Sequence, residues 1–336
     1  MPAGDLTRLV AAALALAAGV AAVVIVALLL SHTPGPVSTA AAAPAAPAAP
    51  ATPVAQAPVA TPPHATTPAA FPAPPAGAVV FARADGSNVL ALAAGPRGRR
   101  LLLQASVLGP QGKGVRGLEV SFNVWQRSAH AAACGAGCYR ALLPVGGQPR
   151  GVLVDVRGRS ATTHWRVALP QRWPAADGSA LMARAGRVWR SLRTLSFRER
   201  LASDATHSVT SVWRAAAPDR IAYTVTKGYS SVVIGGRRWD RAPGGRWVES
   251  SQTAPIHQPV PFWVSVANAH VLDSVRLRGH DVWRVSFFDP GTPGWFEVAI
   301  DKRTLHTLEL SMFATAHFMH DVYSGFDKPA GIRPPG

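Results

Sequence analysis

The sequence is poor in several features that define particular classes of protein. It has two cysteines, four lysines and no run of Lys or Arg longer than a pair. It also lacks zinc-finger spacings and aromatic-rich RNA-binding motifs, so we do not expect a nucleic-acid partner. No motif of a serine hydrolase, zinc protease, P-loop protein or dinucleotide-binding enzyme occurs in its required context. These absences predict a protein that is not an enzyme.

What is present is a basic chain with enough apolar residues for a sizeable core. Lys and Arg number 34 against 18 Asp and Glu, which gives a formal net charge of +16, and 48% of the residues are hydrophobic. Residues 77–174 carry 13 basic and 3 acidic side chains, and residues 177–336 carry 20 and 14. Cationic domains suit anionic membrane surfaces, so a membrane is an expected partner.

The N-terminus contains a long apolar stretch. Leu9–Leu30 is an unbroken run of 22 residues, all Ala, Val, Leu, Ile or Gly. Crossing a bilayer core takes about 20 such residues, whereas a signal-peptide core has about 7–15. Arg8 precedes the stretch and the next basic residue is Arg83, so the positive-inside tendency places the N-terminus in the cytoplasm. We predict a single-pass cell-membrane anchor within residues 1–30 and export of everything after it; cleavage after Ser38 is the alternative.

The segment after the anchor is compositionally biased. Residues 31–76 hold 13 Pro, 17 Ala and no formally charged side chain. Proline fixes φ and removes backbone donors, so this stretch is predicted to be a disordered, extended linker. It would hold the folded domains away from the bilayer.

Residues 77–174 contain a series of short segments with the patterns of β-strands. Leu118, Val120, Phe122 and Val124 alternate with polar residues, which is typical of a half-buried strand. About seven such segments in about 95 residues predict an immunoglobulin-like β-sandwich.

Residues 175–330 combine helices with strands, and residues 331–336 form a tail. Ser179 can cap a helix that presents Leu181, Ala185, Val188 and Leu192 on one face. A second helix is predicted from Phe262 to about Leu272, and one late strand from Thr304 to Phe318. The overall fold class is therefore mainly β with some α: a bent antiparallel half-barrel with helices on its concave side.

This second part resembles the LolA/LppX-type lipoprotein carriers. The resemblance spans Ala180–Asp327 and depends on Leu195–Arg200, Ala217–Ile221, Val233–Trp239 and Trp295–Asp301. It implies a half-barrel whose apolar concavity holds acyl chains or lipoprotein tails.

The whole exported portion also resembles the tail of actinobacterial copper-resistance membrane proteins of the CopC/CopD type. In that resemblance Cys134–Arg140 belongs to a YtkA/FixH-like sandwich, and Phe287–Pro293 and Ala316–His320 belong to the carrier-like domain. It implies a copper-resistance membrane protein as partner, although one span cannot form a copper-transporting membrane domain.

Cys134 and Cys138 are the only cysteines and flank a Gly-rich turn. Outside the cytoplasm such a close pair favours a disulfide. A thiolate copper site with His130 and two free thiols are the alternatives.

His317 and Met319 are the candidate metal ligands, and copper is the metal they would suit. If Thr304–Phe318 were one strand continuing to His320, Met312 and His320 would point to the opposite face. A strand of core and rim residues without metal is the competing interpretation.

The last domain is rich in aromatic residues. Since ligand pockets are mainly apolar, we predict a ligand cavity there, and an ordinary aromatic core is the alternative. The predicted lining is Trp189, Trp213, Phe262, Trp263, Val266, Phe288 and Phe296.

Together these features predict a membrane-anchored extracytoplasmic protein that holds a lipid or other apolar ligand without covalent chemistry and without a cofactor. An accessory protein of copper homeostasis is the first alternative. A structural or docking module of the cell envelope is the second.

Overall fold

The computed structural model describes residues 73–109, 112–159, 161–203, 207–226, 228–252, 254, 256–314 and 317–336. The predicted anchor and all but the end of the predicted linker lie outside these residues. Within the described part of the chain, no helix has both the length and the apolarity needed to cross a membrane. The described residues all belong to one compact unit, Ala69–Gly336.

Two antiparallel sheets form the first part of this unit. Within the described residues, the first has the strand order β1 (Val79–Asp85), β2 (Asn88–Arg97), β3 (Arg100–Leu108), β7 (Cys138–Pro144) and β6 (Ala132–Gly135). The second has the order β5 (Arg127–His130), β4 (Glu119–Val124), β8 (Gly151–Arg157) and β9 (Thr162–Ala168). Their facing side chains share one hydrophobic core.

Strand β4 shows why these sheets pack together. Val120, Phe122 and Val124 are buried in the shared core, as their alternation predicts, while Glu119 is exposed. The alternating segment 118–124 forms β4 except for Leu118, which precedes it, whereas β5 and β6 were not predicted. The immunoglobulin-like assignment stays a prediction.

A third, large antiparallel sheet forms the rest of the unit. Within the described residues its order is β10 (Ala176–Asp177), β17 (Ala267–Leu277), β18 (His280–Asp289), β19 (Gly294–Asp301), β20 (Thr307–Ala314), β21 (His317–Ser324), β11 (Thr194–Ala202), β12 (Ser208–Ala216), β13 (Arg220–Val225), β14 (Ser230–Ile234), β15 (Arg237–Arg241) and β16 (Val248–Ser251). With one helix among the described residues, the fold is mainly β and consistent with a half-barrel.

The helix α1 (Ser179–Ser191) lies across one face of this sheet. At its start a Cβ added to Gly178 would lie 3.0 Å from Cγ1 of Val285 on β18, a tight contact that favours glycine at this position. Ser179 is not the N-cap: the cap is Gly178, and the backbone N–H and hydroxyl of Ser179 both donate to Asp177. The buried face is rotated from the predicted one, because Met182, Ala185, Gly186 and Trp189 are the residues buried on it.

The second predicted helix was wrong. Residues 267–277 form β17, which pairs with β18. The register shifts between Ala267 and His270 and again between Val271 and Asp273. These irregularities break the alternation of a strand and leave Ala269 and Leu272 buried three residues apart, which resembles helical spacing.

The predicted strand Thr304–Phe318 was also wrong, because it corresponds to parts of two strands. β20 and β21 pair antiparallel, with Met312 opposite Met319 and Ala314 opposite His317.

The large sheet shares a hydrophobic core with the first sheet. Residues of β1–β3 pack with residues of β11, β18, β19 and β21 in this interface core, whose members are Ala78, Val80, Val89, Ala91, Ala93, Leu108, Ala202, Phe288, Trp295 and Phe318. The two parts are therefore joined by buried apolar contacts as well as by the chain.

Candidate functional site

The face of the large sheet under α1 carries a continuous series of aromatic rings. Each ring contacts the next with centroids 4.2–5.8 Å apart. This aromatic run consists of Phe296, Phe287, Trp263, Trp189, Tyr323, Phe197, Trp213 and Tyr223. It crosses from β19 to β13, and such rings are the typical lining of sites for apolar ligands.

Trp263 of this run, and Phe262 that packs on it, come from a segment without regular structure, Pro261–Val266, which we call the strap. The Trp263 ring lies edge-on to both Trp189 (5.5 Å) and Phe287 (5.8 Å). The Phe262 ring lies edge-on to Phe197 at 5.8 Å. The strap therefore covers part of the aromatic face of the sheet.

A single buried carboxylate, Asp289, holds the end of the strap. Its two oxygens accept hydrogen bonds from the backbone N–H of Val264 (2.7 Å), from the N–H and hydroxyl of Ser265 (3.1 and 2.8 Å) and from the N–H of Gly291 (2.7 Å). Because these donors lie in the strap and in the turn after β18, Asp289 ties the backbone of the strap just after Trp263 to the end of β18.

Two further carboxyls lie on the same face as the aromatic run. Glu199 on β11 and Asp321 on β21 are direct cross-strand neighbours and are 3% and 0% exposed. Glu199 Oε2 accepts hydrogen bonds from Ser211 Oγ (2.8 Å) and Trp213 Nε1 (2.7 Å). Asp321 Oδ2 accepts one from the Tyr323 hydroxyl (2.6 Å). We call Glu199 and Asp321 the carboxyl pair.

The environment of the carboxyl pair favours its protonated form. Burial raises the pKa of Glu199 above its usual range, although the bonds from Ser211 and Trp213 oppose the rise. Burial and the neighbouring Glu199 raise the pKa of Asp321 well above its usual range. Burial and the two carboxyls also raise the pKa of Tyr323. Two carboxyl groups and the Tyr323 hydroxyl thus lie on an otherwise apolar face.

Comparisons with known proteins give only distant likenesses. No family model matches the chain, and no curated protein matches it. The lipoprotein LppX of Mycobacterium tuberculosis is a similar solved structure, with 15% identity, a TM-score of 0.35 and alignment over 46% of this chain and 98% of that one. A LolA superfamily protein of Nitrosomonas europaea shows 8% identity and a TM-score of 0.22 over 46% and 94%.

A Vibrio parahaemolyticus domain assigned to outer membrane lipoprotein sorting has 9% identity and a TM-score of 0.24, over 46% of this chain and 93% of that one. Scores below 0.5 do not establish a common fold, so the function has to be inferred from the site itself.

The structure brings together most of the predicted cavity residues. Trp189, Trp213, Trp263 and Phe296 belong to the aromatic run, and Phe262 packs on it. Val266 is half-buried at the end of the strap. Phe288 lies apart, because it follows Phe287 on β18 and points to the other side of the sheet, into the interface core.

Cys134 and Cys138 form a disulfide across the turn between β6 and β7. The sulfur atoms of a disulfide are not thiolates, so this oxidised pair does not supply the thiolate copper site with His130.

His317 and Met319 lie on β21, and Met319 is buried. Because β20 is a separate strand that pairs with β21, Met312 shares the face of His317 and Met319 and does not point away from them. Among the described residues, no group of three or more His, Cys, Asp or Glu side chains could hold a metal ion. Copper binding at these residues stays a prediction.

A cavity of about 290 Å³ lies on the opposite face of β17–β20. Its walls include Arg284, Glu297 and Glu309, and Arg284 bonds to both Asp273 and Glu297. Burial raises the pKa of Glu297. This charged cavity contains none of the predicted lining residues and does not suit a purely apolar ligand.

The carboxyl pair and Asp289 are the site residues that the sequence reasoning missed. A signal for the pair was present: Glu199 falls between Phe197 and Leu201 in the apolar phase of β11, and Asp321 falls between Met319 and Tyr323 in that of β21. An acidic residue in the apolar phase of a strand is unusual and marks a buried charge.

Proposed function

We propose that this protein is a membrane-anchored, extracytoplasmic binding protein that takes up the apolar part of a lipid or a similar ligand on the face covered by α1 and the strap. The observation that carries the proposal is the aromatic run, which Phe262 and Trp263 of the strap cover. The 22-residue apolar stretch Leu9–Leu30 supports the anchor.

The energetics of such binding need no covalent step. Transfer of a chain from water into an apolar site contributes about 0.8 kcal/mol per CH₂ group buried. A ligand that displaces Phe262 and Trp263 replaces their contacts with its own, so the exchange leaves the sheet covered. The bonds from the strap to Asp289 keep the strap attached while its aromatic side chains move.

The test is photo-crosslinking of the full chain in native membranes with a twelve-carbon alcohol that carries a diazirine in mid-chain. We expect labelled peptides from residues 261–266 and from α1, since these cover the aromatic run. Labelling confined to the apolar stretch 9–30 would contradict the proposal. A Trp263→Ala variant opens the cover and should label more strongly at α1, whereas the matched change Trp247→Ala, outside the aromatic run, should leave labelling unchanged.

A further inference from the structure

The carboxyl pair has an incomplete set of hydrogen bonds. The Tyr323 hydroxyl donates to Asp321 Oδ2, but Asp321 Oδ1 is buried and has no hydrogen-bond partner among the described residues. Buried polar atoms without partners are rare in native proteins and need an explanation, of which an absent ligand is one.

Among the described residues, no cationic side chain pairs with these carboxyls. Within the part of the chain that the structure describes, no salt bridge involves Glu199 or Asp321. Arg198 and Arg200 on β11 and His320 on β21 are adjacent in sequence but exposed, because alternate residues of a strand point to opposite faces. The positive charge of this region thus lies on the outer face, and the acidic groups lie on the inner one.

Two aromatic side chains contact the carboxyl pair, and each of them packs on further rings. Trp213 donates to Glu199 and is stacked between Phe197 (5.6 Å) and Tyr223 (4.2 Å). Tyr323 donates to Asp321 and meets Trp189 edge-on at 4.8 Å. Ring faces attract cations through their quadrupole, most strongly where water is excluded, and aromatic cages bind quaternary ammonium groups in this way.

We propose that the carboxyl pair and the rings around it form the recognition site for the cationic head of an amphiphile, such as an alkylammonium or choline-type group. The ligand enters where Phe262 and Trp263 now lie, its chain runs along the aromatic run, and its head reaches Glu199 and Asp321. This inference rests on the proposed function and adds the charge of the ligand to it.

The preference for a cation follows from the two buried carboxyls, whose burial disfavours the ionised form unless a positive charge lies beside them. An anionic head would disfavour their ionisation further and would gain nothing from the ring faces. A cationic head instead stabilises their ionised form and gains from the rings. The outer surface predicts the opposite selectivity, since a protein with a net charge of +16 attracts anions in general. A comparison of cationic and anionic ligands therefore distinguishes recognition at the carboxyl pair from attraction by the outer surface.

The experiment compares three diazirine probes with the same twelve-carbon chain and a trimethylammonium, hydroxyl or carboxylate head. Each is crosslinked at equal concentration to the purified full chain in a non-ionic detergent, and labelling of residues 261–266 and α1 is quantified. We expect the trimethylammonium probe to label these peptides at least about tenfold more than the carboxylate probe. In Glu199→Gln, which keeps an oxygen for Ser211 and Trp213, that ratio should fall to about twofold. The exposed carboxylate variant Glu119→Gln should keep the full ratio.

The outcomes distinguish the two proposals. If no probe labels the aromatic face, the proposed function itself fails. If the carboxylate or hydroxyl probe labels it as well as the trimethylammonium probe does, an apolar site remains but the cationic recognition is overturned. An unchanged ratio in Glu199→Gln and in Asp321→Asn would equally overturn it, because the carboxyls would then take no part.

Discussion

Glu199 and Asp321 lie directly opposite each other on β11 and β21, and both carboxyl groups are buried on the face that α1 covers. Directly opposed residues have Cβ atoms about 4.5–5.5 Å apart, so ionising both places two like charges close together in an apolar setting. The protonation of each carboxyl therefore depends on that of the other, and the protonation of both depends on folding.

The carboxyl pair should make stability fall as pH rises. A carboxyl with a raised folded pKa contributes its full stability below the unfolded pKa of about 4 and loses it as pH rises through the folded pKa. The groups facing the pair are Tyr323 and the uncharged Ser211 and Trp213, while α1 presents only uncharged residues. We compare the unfolding free energy of Glu199→Gln with that of the unmodified protein. The difference should favour the variant by about 1–3 kcal/mol more at pH 8 than at pH 4.5. Urea unfolding across this range measures it.

The control for that experiment is Glu119→Gln, which alters an exposed carboxylate of β4. It should shift stability by less than about 0.5 kcal/mol at either pH. A Glu199→Gln profile parallel to that of the unmodified protein would show that Glu199 does not titrate differently on folding.

Removing Asp289 should release the strap. In Asp289→Ala the N–H groups of Val264, Ser265 and Gly291 lose their acceptor, and we expect unfolding free energy to fall by about 2–4 kcal/mol. Hydrogen exchange of residues 262–266 should become faster at the same time. Labelling of α1 by the twelve-carbon alcohol should rise, because Phe262 and Trp263 then leave the aromatic run more often.

Asp301→Ala is the matched control for the strap. Asp301 is another buried carboxylate that holds a turn, accepting bonds from the N–H groups of Arg303 (2.9 Å) and Thr304 (2.7 Å). Backbone and side-chain bonds from Thr304, with His280, lower its pKa to about 2 against the opposing effect of burial. Its loss should destabilise the protein without faster exchange at 262–266. Equal exchange in both variants would mean that Asp289 acts only on global stability.

The disulfide should contribute modestly to stability. Cys134 and Cys138 are four positions apart, and closing so short a loop restricts the unfolded chain little, by about 2 kcal/mol. We expect the double variant Cys134→Ser, Cys138→Ser to unfold at a correspondingly lower urea concentration and to keep the ligand selectivity described above. Loss of amphiphile labelling in this variant would show an unexpected link between the turn and the aromatic face.

Phe288→Ala tests the interface core. Phe288 is buried there, and truncating a buried Phe costs about 3–5 kcal/mol. Phe313 packs on the same core but is only partly buried, so Phe313→Ala should cost less. We expect Phe288→Ala to speed hydrogen exchange in β1 and β2 as well as in β18. Faster exchange in β18 alone would indicate that the two parts are stabilised separately.

Local sequence patterns predicted most of the strands, because period-two alternation is a short-range property. These patterns failed where strand register or helix packing, which depend on distant residues, determines the structure. In β17 the register irregularities imitate helical spacing, and in α1 the buried face depends on how the helix lies on the sheet, so Trp189 faces inward and Leu181 only partly does.

In the site too, local sequence patterns predicted some residues and long-range strand pairing determined others. The aromatic members Trp189, Trp213 and Trp263 could be predicted because aromatic residues are usually buried and the domain is rich in them. The carboxyl pair needed the pairing of β11 with β21, strands separated by more than 100 residues in the chain. Nothing in either segment alone indicates that Glu199 faces Asp321.

The interface core also bears on how this protein can change over evolutionary time. Its large sheet presents Phe288, Trp295 and Phe318 to the first sheet, where a solitary relative would need polar side chains facing water. If recombination moved one part to a new gene, its side of the interface core would become an exposed apolar surface, and the separated part would tend to aggregate. We therefore expect the two parts to be inherited together and the residues of the interface core to vary together among descendants.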